Sequence, residues 1–230
     1  MATSGTFTFA PSIGELVINA FARCGIRRTE LTTQHLADAN FEANMVMVDW
    51  VGDGINLWQV ESTTIPLVQG QYIYPIPSNV VFILDVYITT NPSGTAPIDR
   101  IIFPISRSDY VSLAYKTDQG ASTSFWYDRL IDPNLYLWPV PDQSNYYTMT
   151  YYYMRQAQDN ALANGTQPEL PWYYLDSFGY NLAARLALMY APDRAAMLEA
   201  KAQKAWQRAL AVGTENVPLS IQAQMRSYFS

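Results

Sequence analysis

An α+β fold is predicted: a helical bundle made from N- and C-terminal helices, a central β-rich insertion of sandwich or barrel-like form, and an extended C-terminal arm. Three observations carry this expectation. Apolar residues recur every three or four positions from Leu16 to Trp50, and again from Leu175 to Ala209. Between Trp58 and Arg155 the texture changes to short β-branched and aromatic runs bounded by Gly, Pro, Ser and Asn. After Gly213 comes a tail too apolar for a solvated end. The segments divide as 1–57 for the N-terminal helices, 58–155 for the β-rich part, 156–213 for the C-terminal helices and 214–230 for the arm.

The first helix begins at Ser12-Ile13-Gly14-Glu15, which reads as a capping box in which hydroxyl and carboxylate satisfy each other's backbone N–H groups. Leu16, Val17, Ala20 and Phe21 follow at helical spacing, and Gly25 suits the C-terminal cap. A second helix starts after Thr32 or Thr33, with Leu36, Ala39, Ala43, Val46, Met47 and Trp50 on its apolar side, and frays at Gly52 and Gly54. Strands are expected at 71–77, 80–89, 125–130, 135–140 and 147–154, with a turn at Ile131-Asp132-Pro133-Asn134 and a short helix over 106–115. Pro171 suits the first turn of a helix over 172–190. Leu175, Phe178, Leu182, Leu186 and Met189 form its apolar stripe. Beside it Gly179, Ala183, Ala187 and Ala191 place a small residue every four, which lets another helix approach closely. Pro192 breaks this helix, and a last one runs to about Val212 with Leu198, Ala202, Ala205, Trp206 and Ala209 inward. Its Arg194, Lys201, Lys204 and Arg208 share one stripe, with Asp193 and Glu199 the acids nearby; such a stripe is either a solvated face or a lining that meets phosphate or an acidic partner.

Composition narrows the function. The 230 residues hold 49% hydrophobic, 14% aromatic and 15% charged side chains, the last well below the usual figure of about 25%. Disorder is therefore disfavoured, and apolar surface available to partners is favoured. Twenty acids against 14 bases leave a net charge of −6, which argues against a general nucleic-acid binder. One cysteine, Cys24, and one histidine, His35, exclude an intrachain disulfide and a His/Cys zinc cage. The N-terminal stretch has no basic region ahead of an apolar run, so it does not read as a signal peptide, and no apolar run reaches membrane-spanning length. A soluble protein of a reducing compartment is expected.

Motifs of catalytic chemistry are nearly absent from the sequence. No phosphate loop, dinucleotide fingerprint, nucleophile elbow or His-Glu-x-x-His is present. Cys24 and His35 read better as a packed thiol and a surface imidazole than as a catalytic pair. Asp49 and Asp53, four apart, read better as a solvated helix end than as part of a metal site, which needs more oxygen ligands. The rings Trp126, Tyr127, Tyr136, Trp138, Tyr146, Tyr151, Tyr152 and Tyr153 can form a sugar platform. Core and protein-interface roles account for them more simply.

The layout resembles the head-to-tail adaptor (connector) proteins of tailed bacteriophages, and is similar to the packaged-DNA-stabilising adaptors of short-tailed phages. The residues that carry the resemblance are Ser12-x-x-Glu15-Leu16 with Ala20, the second helix running into Val51-Gly52-Asp53-Gly54-Ile55-Asn56-Leu57-Trp58, and Thr63 to Tyr72 (TTIPLVQGQY). Further on come Leu84-Asp85-Val86-Tyr87-Ile88, Leu135 to Pro141 (LYLWPVP), and Pro171-Trp172-Tyr173 leading to Leu182-Ala183-Ala184-Arg185-Leu186-Ala187. They extend over most of residues 10–212 as order and texture.

The resemblance implies a structural, non-enzymatic role in the virion neck for a protein made in the host cytoplasm. Copies are expected to close into a ring, dodecameric in such adaptors, that joins the portal protein to a downstream tail or nozzle protein and helps retain packaged double-stranded DNA. No cofactor, metal or membrane partner is implied. The tail residues Val217, Leu219, Ile221, Met225, Tyr228 and Phe229 become a portal-docking arm, and Arg194, Lys201, Lys204 and Arg208 a face for DNA in the lumen or for a partner. Two other classes stay open on the residues alone: a carbohydrate- or receptor-binding β module of a phage tail, and a cell-wall hydrolase whose carboxylates are not recognised.

Overall fold

Ser12 starts the first helix as a capping box requires. Its hydroxyl accepts the Glu15 N–H at 3.3 Å, and the Glu15 carboxylate accepts the Ser12 N–H at 2.8 Å. Helix α1 (Ile13–Cys24) ends at Gly25, whose φ of 91° is the left-handed turn that glycine takes without strain. The computed structural model describes residues 4–52, 57–162 and 165–213. The proposed arm residues, and Asp53, lie outside these.

Three longer helices complete the bundle: α2 (Thr33–Gly52), α4 (Leu175–Tyr190) and α5 (Pro192–Gly213). Helix α4 is central and touches the other three. Phe178, Leu182 and Leu186 are fully buried in it. The small-residue stripe admits α1. The Cys24 thiol donates to the Ala183 carbonyl at 3.4 Å, and the Arg23 guanidinium lies 3.3 Å from where a Cβ on Gly179 would sit. The helix expected over 172–190 is 3-10 at Trp172–Tyr174 and α-helical only from Leu175.

Seven strands form the insertion: β1 (Val60–Pro66), β2 (Ile73–Pro75), β3 (Val80–Thr90), β4 (Ile98–Pro104), β5 (Ser124–Tyr127), β6 (Asn134–Trp138) and β7 (Tyr147–Arg155), with helix α3 (Arg107–Ser112) between β4 and β5. They make one sheet in the order β1-β7-β3-β4-β5-β6-β2, antiparallel except for β4–β5. The outer strands, β1 and β2, are consecutive in the chain. Laid flat, they would sit roughly 29 Å apart at about 4.8 Å per strand. The seven Cα steps from Pro66 to Ile73 reach at most roughly 25 Å. The sheet must therefore curl, and it does so into a half-barrel. Val86, Ile88, Ile102, Phe125, Leu135, Leu137, Met149 and Tyr151 fill its core.

Strands β1 and β4 carry no strand expectation in the sequence, because their outward positions mislead the pattern: β1 alternates Glu, Ser and Thr, and β4 exposes Ile98, Ile101 and Phe103. Three expected elements are shorter. The helix over 106–115 is α3 alone. The strand over 71–77 is only β2, where Pro75 removes a ladder donor. The strand over 125–130 stops at Tyr127, where the Asp128 carboxylate accepts the Asn134 N–H at 2.8 Å and starts the turn.

Bundle and sheet meet where the chain crosses between them. Trp58 packs on Tyr174 with ring centroids 4.3 Å apart. Arg155, at the end of β7, donates from Nε to Glu61 at 2.7 Å and from both terminal nitrogens to Glu169. The returning segment is then stapled to α2: the Asn160 N–H donates to Asn44 Oδ1 at 2.7 Å, and Asn160 Nδ2 donates to the Ala43 carbonyl at 3.2 Å.

Candidate functional site

The side chains with catalytic potential are tied into structure. Burial pushes the Cys24 thiol up, away from the nucleophilic thiolate. His35 accepts the Thr32 N–H on Nδ1 at 3.1 Å, and its ring packs at 4.5 Å from Tyr190 and 5.4 Å from Phe21. It is half-buried, not the surface imidazole expected. Asp49 is not merely a solvated helix end either: Arg185 donates to it at 3.0 Å and to Glu42 at 3.4 Å. Among the described residues no group of three metal-ligating side chains forms, and no helix is long and apolar enough to cross a membrane.

The ring-rich strands do not present one platform. Tyr151 and Tyr153 point into the sheet's core. Trp126 and Tyr136 stack at 4.6 Å beneath Tyr110 of α3, itself buried. The Tyr127 hydroxyl donates to the Val80 carbonyl at 2.9 Å. Alternation along the strands divides the cluster between two faces and a capping helix.

Helix α5 offers a different arrangement, because its charges are sorted. Positions two apart on a helix point to opposite flanks. Glu199 and Trp206 thus lie on one side, and Lys201 and Arg208 on the other. On the cationic flank Arg194 reaches back over the end of α1, donating to the Arg23 carbonyl at 3.4 Å, where a cation complements the helix dipole. Lys201 lies 5.9 Å over the Tyr180 ring, whose centroid is also 3.7 Å from the Arg23 guanidinium. Lys204 and Arg208 are exposed and make no ion pair or hydrogen bond among the described residues. Met197 is 49% exposed and occupies the turn of the same stripe between Arg194 and Lys201.

The opposite flank borders a groove of about 580 Å³ between α2, α4 and α5. Its floor holds Trp206, stacked at 4.6 Å on Trp50, and its wall Leu188, 71% exposed. Asp49 and Glu199 stand on its rim. The sequence names Trp206 only as an inward residue and does not single out the groove, which three helices from both ends of the chain build together. The legible signal is Leu188, a large apolar residue outside the buried stripe of its helix.

The model of the SU10 adaptor protein family matches residues 14–226, from the first helix to within a few residues of the end of the chain. The chain belongs to this family of phage head-to-tail adaptors. Among curated proteins none matches it. The adaptor is thus a structural protein of the bacteriophage particle. The family match also extends past Gly213, where the sequence pattern alone aligns nothing.

Proposed function

We propose that the adaptor closes into a ring beneath the portal, joins it to the tail, and helps retain packaged DNA without performing catalysis. The observation that carries this reading is the family match across residues 14–226. The sorted flanks of α5 support it: two unlike sides, uncovered among the described residues, suit a contact repeated around a ring. Residues 214–230 act in this reading as an arm that docks on the portal through Val217, Leu219, Ile221, Met225, Tyr228 and Phe229. Arg194, Lys201, Lys204 and Arg208 serve as a face for DNA in the lumen or for a neighbouring protein.

Electron microscopy of particles labelled with an antibody to this chain tests the role. Label in a collar at the head–tail junction is the expected result; label at fibre tips, or on no particle, overturns it. Deleting residues 214–230 tests the arm. The truncated protein is expected to keep its melting temperature and lose binding to portal rings. A truncated chain that no longer folds would instead make the tail part of the core.

A further inference from the structure

We propose that the groove between α2, α4 and α5 receives the cationic flank of α5 from a second copy of this chain, so that the basic stripe is a subunit contact and not a DNA lining. The inference rests on the ring reading above and names its interface. Chemistry on the two flanks is complementary. Lys201, Lys204 and Arg208 are cations without carboxylate partners among the described residues, although acids outnumber bases in the chain as a whole. The groove is lined by Glu199, which makes no ion pair among the described residues, and by Asp49 with Arg185, a single cation that Glu42 also shares, so acids outnumber bases there. The apolar parts correspond as well. Met197 stands among the cations as a thioether knob able to fill irregular apolar space, and the groove offers Trp206 and Leu188.

Geometry then selects the kind of assembly. Because the two surfaces lie on opposite flanks of one helix, a copy that uses its cationic flank on one neighbour presents its groove to the next. This contact is heterologous, and repetition closes a ring or continues as a filament. A symmetric dimer would pair stripe with groove twice across one axis, which needs both surfaces on the same side of the molecule, and opposite flanks of one helix cannot both face that axis. DNA would match the stripe alone and leave the groove without a function.

Three variants read the contact directly. Cys24 is the one native cysteine and is buried, so introduced thiols report by themselves. Glu199→Cys with Lys201→Cys in one chain puts two thiols on diverging Cβ vectors that cannot bridge within a copy. Oxidation of the assembled protein is expected to give a ladder of covalent multimers. Lys201→Glu with Arg208→Glu is expected to weaken assembly by roughly tenfold or more. Adding Glu199→Lys and Gln203→Lys to that variant is expected to restore it, and circular dichroism shows that each variant is folded. If native rings form while the charge-reversed protein assembles equally well and the thiols stay monomeric, the interface is wrong and the ring reading survives. If the native protein forms no closed oligomer, alone or on portal-bearing particles, both fall.

Discussion

In the helical bundle the tightest packing positions are small: Ala20, Ala39, Ala43, Ala183 and Ala187 are fully buried, and the helices approach across them. In the curled sheet the buried positions include four tyrosines, Tyr74, Tyr147, Tyr151 and Tyr153. The Tyr74 hydroxyl both accepts the Val68 N–H and donates to the Gln71 carbonyl, each at 3.2 Å. Large rings of the bundle, Phe21, Trp50, Tyr174 and Phe178, are buried between its close helix approaches, and Leu188, Met189, Met197 and Val212 stay on its surface. The concave sheet is filled by its tyrosines together with aliphatic side chains, Ile88, Ile102, Leu135 and Leu137 beside Tyr151. Each region leaves large apolar groups outside, Leu188 and Met197 on the bundle and Ile98, Ile101 and Phe103 on the sheet, but on the bundle they lie beside the sorted charges of α5.

The sharpest way to break that comparison is to empty each core. Phe178→Ala in the bundle and Tyr151→Ala in the sheet each remove a fully buried ring and are expected to cost about 3–5 kcal/mol. The buried clusters are separate, so calorimetry should show Phe178→Ala lowering one transition and Tyr151→Ala the other. A single transition lowered equally by both would merge the regions into one cooperative unit.

Arg155 is where the two are tied, and its loss is the next largest effect. Its side chain is 13% exposed between Glu61 and Glu169. Arg155→Met is expected to cost about 2–3 kcal/mol, toward the low side for a broken buried pair because Glu61 is half exposed to water. The hydrogen bond from Arg155 holds the Glu169 carboxyl below its ordinary range. A depressed carboxyl stabilises the fold above its unfolded pKa of about 4.3, and the gain disappears as pH falls through the lower folded value. The gap between native and Arg155→Met proteins in denaturant titrations should therefore be full at pH 7 and shrink below about pH 4. A gap that stays constant into acid would assign Arg155 a packing role and not a charged one.

How much of this was legible in the sequence follows the same divide. The bundle's local signals hold: Ser12 and Glu15 cap α1, Gly25 ends it, and the Phe178–Leu182–Leu186 stripe is buried. Each arises within one or two helical turns, which sequence periodicity records. The sheet is written in longer-range terms. Strand β1 exists because its Thr and Ser residues pair in register with β7, Thr64 opposite Thr150 and Ser62 opposite Tyr152, some 90 residues away. The curl comes from β1 and β2 being outer strands joined by a short span, which no local pattern shows. The groove was hidden for the same reason, since Asp49, Leu188 and Glu199 become neighbours only once α2, α4 and α5 pack. Arg194 shows the limit of helical spacing. The stripe places it with Lys201 and Arg208, yet its guanidinium turns back to the end of α1.

The smallest test uses a motif that both regions share. Ser12–Glu15 caps α1, and Ser106–Asp109 caps α3 by the same reciprocal bonds, with the Asp109 N–H reaching Ser106 Oγ at 3.1 Å. Removing either hydroxyl by substitution to Ala loses about 1 kcal/mol of helix stability. The consequences should differ. Helix α1 buries six of its 12 residues in the bundle core, so Ser12→Ala should appear in full in the bundle's unfolding transition. Helix α3 has six residues and buries only Tyr110, so its capped turn can open while the sheet stays intact. Ser106→Ala should then leave the sheet's transition within a few tenths of a kcal/mol and speed amide exchange across α3, with Trp126 fluorescence changing as Tyr110 lifts from the Trp126–Tyr136 stack. Equal shifts in the two global transitions would mean that α3 unfolds with the sheet, and that the sheet's outer aromatics are held as rigidly as its core.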